Sequence, residues 1–308
     1  MHRYLLSRIA RALLTALLAV TFTFFILRLT GDPAVEILGN EASPEALAAF
    51  RAAWGLDHSL LVQFGYYIKA VLSGDLGQSM RDGRAALEVV LERIPVSLAI
   101  TVPALLINIL IGIPAGIFAA LHRGSVIDRV VMLGAIAGFT VPAYVLGLLL
   151  VLAFSVGLQW LPSGGAQSWT SAILPVITLG VHGSATLARF VRSAMLEVLA
   201  QPYIRTATAK GVPWWKVVRH HAFPNAAIPT VTIVGFMVGH LIAGAVIVES
   251  VFSWPGIGQL LVVSVASRDL AVVQCLLFLV TIVMVISNIL VDVAYGLLDP
   301  RMANEGNL

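Results

Sequence analysis

Four stretches of this chain contain no charged residue at all: Val96–Leu121, Val130–Ala188, Phe223–Val248 and Leu270–Val291. A membrane crossing takes about 20 apolar residues, and a central Arg or Asp costs about 2.5–3.5 kcal/mol there. These stretches are long and clean enough to cross. Val130–Ala188 is too long for one crossing, and Trp160-Leu-Pro-Ser-Gly-Gly165 divides it in two, with Trp160 and Trp169 at interface positions. A further apolar run, about Ala12–Leu29, begins and ends near Arg11 and Arg28, whose side chains can snorkel. Arg3 and Arg8 give the N-terminus a signal-peptide flavour. The length of the run, the following Arg28 and the lack of a small-residue cleavage site favour a retained signal-anchor. The expectation is an all-α membrane protein of six transmembrane helices. Of the 308 residues, 59% are hydrophobic and 11% charged, against about 25% charged in soluble domains.

Charge sets the orientation. With the N-terminus in the cytoplasm, the inner segments hold twelve basic and five acidic residues, and the outer ones seven and eleven. The positive-inside rule selects this arrangement, which also places the C-terminus in the cytoplasm. The net charge of only +3 is no polybasic signature. Cys275, the single cysteine, excludes an intramolecular disulfide and reads as a small buried apolar residue.

Three regions follow. Residues 1–94 form the first helix and a long outer segment. There Ser43 caps a helix over Glu45–Trp54, Leu60–Leu72 is a helix lying on the membrane or the other spans, and Gly74-Asp-Leu-Gly77 is a turn. Arg84–Arg93 is amphipathic and leads through Pro95 into residues 95–296, the membrane core. Residues 297–308 are a cytoplasmic tail. Gly112/Gly116, Gly134/Gly138 and Gly235/Gly239 have the G-x-x-x-G spacing of close helix packing, within the chain or with a partner. Pro103, Pro114, Pro142, Pro175 and Pro229 fall inside spans, as in helices that bend around a cavity.

Several chemistries are missing. No G-x-x-x-x-G-K, C-x-x-C, H-E-x-x-H or G-x-S-x-G occurs, so neither a P-loop nor the common hydrolase and metal motifs are present. His182, Ser184 and Asp292 are parts from which an intramembrane hydrolase can be built, but the glycine-flanked nucleophile is missing. His182 and His240 face either a pathway or packing. No carboxylate sits mid-span, which argues against a proton-coupled transporter acting alone.

The cytoplasmic loop at about 200–225 breaks the pattern: RTATAKGVPWWKVVRHHAFPN, Arg205–Asn225. Tyr203–Lys210 suits a short, small-residue helix. Gly211-Val-Pro213 is an elbow. Trp214–Phe223 suits an amphipathic helix that stops at Pro224, with Trp214, Val217, Val218 and His221 on one face. Four cations without a repeat are too few for a nucleic-acid patch. The Trp-rich half fits a membrane surface, and the flat first half fits a protein groove.

Ala207-x-x-x-Gly211 followed by Phe223-Pro224 resembles the cytoplasmic EAA loop of binding-protein-dependent ABC importer permeases. Arg205-Thr206-Ala207 stands where the family at large has Glu-Ala-Ala, and Tyr203–Gly211 is similar to the dipeptide/oligopeptide/nickel subfamily. So are Thr30-Gly-Asp-Pro-Ala34, Trp54-Gly-Leu-Asp57, Gly74-Asp-Leu-Gly-Gln-Ser79, Phe252-Ser-Trp-Pro-Gly-Ile-Gly258, Arg268-Asp269 and Leu298-Asp-Pro-Arg301, in order along the chain. The likeness is to the B-type permease. It implies a type I ABC importer permease fold, a multi-pass place in a bacterial inner or plasma membrane, and import of short peptides, with nickel or metal chelates, glutathione and sugars as alternatives. Outside that class, a stand-alone channel or secondary transporter is the competing reading. The implied partners are a second homologous permease, two cytoplasmic ATPases, an extracytoplasmic solute-binding protein and lipid, and no nucleic acid. The chain itself carries no cofactor; ATP and Mg belong to the ATPases. The implied coupling residues are Tyr203, Arg205, Thr206, Ala207, Ala209, Lys210, Gly211, Phe223 and Pro224. Ala207 permits close approach, Arg205 and Lys210 meet acidic groups, and Gly211→Asp buries a charge in the elbow.

Overall fold

Asp32 and Ser43 show how literally the outer segment follows its sequence. The computed structural model describes residues 2–29, 31–39, 41–243 and 245–298. Helix α1 (His2–Leu29) is followed by α2 (Pro33–Leu38), whose N-cap Asp32 accepts from the Ala34 amide at 3.0 Å. Ser43 accepts from the Ala46 amide and opens α3 (Pro44–Ala53), with proline at the first helical position. Arg51 of α3 returns to Asp32 at 2.5 Å and ties α3 to α2. α4 (Leu60–Leu72) packs on α1 by aromatic contacts: Phe24 lies 5.1 Å from Phe64 and 5.4 Å from Tyr67. Of the two placements expected for Leu60–Leu72, it takes the one against another long helix. Arg28 does not snorkel outward; its Nε donates to Gln63 Oε1 of α4.

The membrane region consists of α5 (Ala86–Leu91), α6 (Ile94–Ile107), α7 (Ile113–Leu121), α8 (Val126–Thr140), α9 (Ala143–Leu150) and α10 (Ile173–Leu199). After these come α11 (Pro202–Ala209), α12 (Trp214–Val217), α13 (Phe223–Ala243), α14 (Val246–Val251), α15 (Ile257–Ala266) and α16 (Leu270–Leu298). Four continuous helical stretches among the described residues are long and apolar enough to cross: Ala86–Leu121, Trp169–Leu199, Trp214–Leu241 and Leu270–Val291. The pair α8–α9 makes a fifth when counted as one span. The six-span reading adds α1, whose apolar portion Leu17–Leu29 is shorter.

In that pair the bend expected at an in-span proline is sharp: the two halves, read as one crossing up to Trp160, meet at 97°, at Val141-Pro142. Proline disfavours the helical conformation of the residue before it, and Val141 is extended (ψ 118°). The expected break at Trp160–Gly165 is present, and its glycines have a packing reason: a Cβ on Gly164 would fall on the Phe252 carbonyl, while Gly165 N donates to that carbonyl at 2.9 Å.

Two of the three G-x-x-x-G pairs serve packing inside the chain. A Cβ on Gly112 or Gly116 would lie 2.9 Å from Leu187 Cβ or 2.6 Å from the Ala188 carbonyl on α10. Gly239 faces Ser287 on α16, whose hydroxyl donates to the Gly235 carbonyl at 2.8 Å. In the third, Gly138 meets Ala185 but Gly134 faces open space. Cys275 is buried, as expected.

Two further prolines sit directly after π-helical turns. Asn108–Gly112 precedes Ile113-Pro114, and Val218–Ala222 precedes Phe223-Pro224. A proline has no N–H for the helical ladder and its ring crowds the carbonyl four residues back; a widened turn removes both conflicts without breaking the helix. The expectation that the loop's second helix stops at Pro224 is therefore overturned: Trp214–Leu241 runs as one continuous stretch. The Asp299–Arg301 part of the last sequence motif, residues 299–308 of the expected tail and Thr30 lie outside the described residues, while Leu297 and Leu298 of that tail end α16.

Candidate coupling site

α10 ends at Leu199, and Gln201 is extended (ψ 147°), so the chain turns out of the bundle before Pro202 starts α11. One side of α11 is locked down. Ile204 is 3% exposed and packs in a cluster with Met195 and Val191 of α10, Val217 of α12, and Ala222 and Ala226 at the start of the α13 stretch. Ala207, one turn on, is half-buried against the same cluster. It packs on the chain's own core on one side. Tyr203, Arg205, Thr206, Ala209 and Lys210 form the exposed face. Thr206 and Thr208 hydroxyls donate back to the Pro202 and Ile204 carbonyls, so these small polar residues complete the helix without reaching sideways.

The elbow is a Schellman C-cap. Val212 N donates to the Ala207 carbonyl, Gly211 N to the Thr208 carbonyl, and Gly211 takes φ +75°. Val212 and Ala207 meet in the apolar cluster, the contact that accompanies this cap. Gly211 is exposed, and a Cβ built on it meets nothing within 4 Å. An aspartate here thus buries no charge within this chain, contrary to expectation; the constraint is backbone conformation alone. Gly211→Asn is expected to leave thermal stability unchanged, whereas Gly211→Val costs about 1–2 kcal/mol. Melting of the purified protein checks this; equal midpoints for the two variants would show that the left-handed cap is not holding the elbow.

Beyond the elbow the buried residues are Val217, Ala222 and Ala226, of which only Val217 belongs to the expected face. Trp214, at the helix start, is exposed and Val218 half-buried; His221 is exposed because the π turn over Val218–Ala222 adds a residue and puts Ala222 inward after Val217. Trp215 is exposed with Lys216 Nζ 5.5 Å over its ring, and Phe223 and Pro224 lie on the outer side of the helix start.

At the same end, an ion pair that the sequence reading passed over fastens α8 to α10. Arg192 donates from Nε and Nη2 to the two oxygens of Asp128 at 2.6 and 2.8 Å. Asp128 also accepts from Gly124 N, while Ser125 Oγ accepts from Asp128 N. Ser125-x-x-Asp128 is a capping-box signature, and it was the available signal.

The opposite end gathers most of the remaining sequence motifs. Ser79 of the Gly74–Ser79 turn donates to the buried Asp269 carboxylate, and Met80 N donates to its other oxygen at 3.2 Å. The guanidinium of Arg268 lies against Gly31. Glu249, fully buried on α14, accepts from Ser97 Oγ (2.6 Å), Gly258 N (2.7 Å) and Gln259 N (3.1 Å), capping α15. Ile257 N donates to Ser97 Oγ, and Trp254 Nε1 to the Val96 carbonyl. Burial pushes the Glu249 carboxyl above the ordinary carboxylate range; the Ser97, Gln259 and Gly258 donors only partly oppose this. Glu249 and Ser97 are 152 residues apart, and no local pattern marks them. His182 stacks on Phe139 at 6.0 Å, and His240 is exposed.

Two family descriptions match this chain. "Binding-protein-dependent transport system inner membrane component" covers residues 112–304, and the corresponding N-terminal region covers residues 1–101. The chain is 42% identical over 303 residues to the glutathione transport system permease protein GsiC of Salmonella typhimurium (strain LT2), covering 98% of this chain and 99% of that one. It is 40% identical over the same length to GsiC of Escherichia coli (strain K12). Among solved structures it is similar to a chain of the MetNI methionine ABC transporter in an inward-facing conformation. The TM-score is 0.57 at 21% identity, over 68% of this chain and 96% of that chain, a likeness of fold.

Proposed function

The chain belongs to the family of binding-protein-dependent transport system inner membrane components, the permease subunits of ABC importers, and from that premise we propose how its two ends work. The end carrying α11 faces the cytoplasm and docks an ATPase. The carrying observation is that α11 is anchored on one side by Ile204 and presents Tyr203, Arg205 and Lys210 on the other. A second permease completes the pathway, and a second ATPase docks beneath it. Nucleotide and Mg bind to the ATPases. A lever held by a packed core moves as a rigid body, so ATP-driven approach of two ATPases is passed through Ile204 to α10 and α13. The Gly74–Ser79, Phe252–Gly258 and Arg268-Asp269 assembly faces outward and receives the solute-binding protein.

The cargo proposed is a short peptide. Relatives named for glutathione support this, because glutathione is itself a tripeptide. The test is uptake into proteoliposomes holding the permease pair, its ATPases and its binding protein, with radiolabelled glutathione and L-alanyl-L-alanine supplied separately. Accumulation that requires ATP and is competed by the other peptide is expected. Uptake that continues without ATP, or that neither peptide competes, rejects the reading.

A further inference from the structure

Arg189 holds a charge where the chain offers nothing to balance it. It stands on α10 directly after the charge-free stretch Val130–Ala188, and its guanidinium carbon lies 4.5 Å from the centre of the Phe139 ring on α8. We infer that Arg189, seated on Phe139, is an anion-binding point on a water-filled path through the membrane, and that the group it takes is a carboxylate or another small oxyanion of single charge.

The side chain points into the membrane. α8 and α10 run antiparallel, with Asp128 against Arg192 and Gly138 against Ala185. Phe139 stands eleven residues beyond Asp128, about 16 Å along α8. Arg189 stands only three residues beyond Arg192, about 4.5 Å along α10, so it reaches that ring by extending away from the α11 end. A cation near a helix end ordinarily snorkels the other way, toward the nearer water. His182, seven residues earlier on α10, stacks on the same ring at 6.0 Å and holds it. Arg189 is exposed and makes no hydrogen bond or ion pair among the described residues. No acid of the long helices lies at this depth, because Val96–Leu121, Phe223–Val248 and Leu270–Val291 are as free of charge as Val130–Ala188. A balancing anion therefore comes from outside the chain.

A second observation excludes lipid from this face. α8 breaks at Val141-Pro142, two residues past Phe139, with a turn of 97°. Pro142 brings no N–H, so the Gly138 carbonyl loses its partner in the helical ladder. Thr140, Pro142 and Tyr144 are exposed at the break. Irregular backbone at membrane depth does not face lipid; it is covered by protein or lines water. Protein packed directly on Arg189 would bury an unpaired charge, which is costly, whereas a wet wall leaves the charge hydrated until an anion arrives. The Phe139 ring takes one face of the guanidinium and leaves its edge open, and that planar edge matches a carboxylate. One unpaired cation balances one negative charge.

The inference deepens the importer reading and rests on it for the path, but its test needs no transport. Ile136, exposed one turn before Phe139, is replaced by cysteine in the assembled permease–ATPase complex in nanodiscs. The native Cys275 is buried. The new thiol is treated with the anionic sulfonatoethyl or the cationic trimethylammonioethyl methanethiosulfonate, without nucleotide and with ATP plus vanadate. Labelling is read on its own peptide by mass spectrometry. Both reagents should react in at least one state, and Arg189→Met should lower the anionic-to-cationic rate ratio about tenfold. Acetate, against chloride of equal ionic strength, should slow the anionic reagent more than the cationic one. Arg189→Lys, which keeps the charge without the fork, should keep the preference and weaken the acetate effect. A thiol that neither reagent reaches overturns the inference, since lipid or the second permease then covers this face. A rate ratio unchanged in Arg189→Met, or acetate acting as chloride does, overturns the anion site. Reach and the acetate effect are read with Arg189 in place, so they decide the matter even where Arg189→Met fails to assemble. ATP-driven uptake, measured separately, reports on the importer reading and not on this site.

Discussion

Glu249→Ala is expected to lower the unfolding free energy of the purified complex by about 3–5 kcal/mol. Three donors, Ser97 Oγ, Gly258 N and Gln259 N, converge on this carboxylate in a place closed to solvent. Each buried donor left unpaired costs about 1–3 kcal/mol, and water entering the new space recovers part of the sum. Glu249→Gln keeps the shape and one acceptor but sets an amide N–H₂ against a donor, so it should fall between alanine and wild type. The readout is the thermal midpoint. A Glu249→Ala protein melting with the wild type would mean that this cap does not hold α15. The pH dependence has a definite sign. A folded-state value above the unfolded one means that the native state binds the extra proton. Stability is then highest below the ordinary glutamate value and falls as pH rises through the raised folded value. Glu249→Gln should flatten that slope.

What the sequence made legible was local. Ser43-Pro44 and Leu60–Leu72 signal their own helices through a cap, a proline and periodicity, and α3 and α4 form within a residue or so of the expected bounds. The elbow at Gly211 was equally readable, because only a left-handed residue closes that cap. The errors arise where one helix meets another. Pro142 was legible as a bend, though the proline alone does not fix its 97° angle. Ala207 packs on one side beside Ile204 and Val212, contacts that its small size alone did not indicate. Pro224 looked like a stop; the π turn that absorbs it has no sequence signature beyond the proline itself. Arg28 and Gln63 come from separate helices, so their pairing existed only in the fold.

The second large effect concerns the exposed face of α11. Arg205→Glu combined with Lys210→Glu is expected to weaken ATPase docking by about 100-fold and to reduce ATP-driven uptake accordingly, since each reversal turns an attraction into a like-charge contact. The thermal midpoint should stay at the wild-type value, because both side chains are exposed and substitutions at such positions usually change stability by under about 0.5 kcal/mol. Ile204→Ala should behave differently. Removing a 3%-exposed side chain from the junction of α10, α12 and α13 costs about 2–5 kcal/mol and loosens the lever while its docking face is intact. ATPases should then still co-purify and hydrolyse ATP, but with transport per ATP reduced. The two variants thus separate gripping from transmission: one loses the partner and keeps its fold, the other keeps the partner and loses the stroke. Full uptake and full co-purification in the double reversal would exclude the outward face of α11 as the docking surface. Wild-type transport per ATP in Ile204→Ala would show that the anchored lever is not how force enters the bundle.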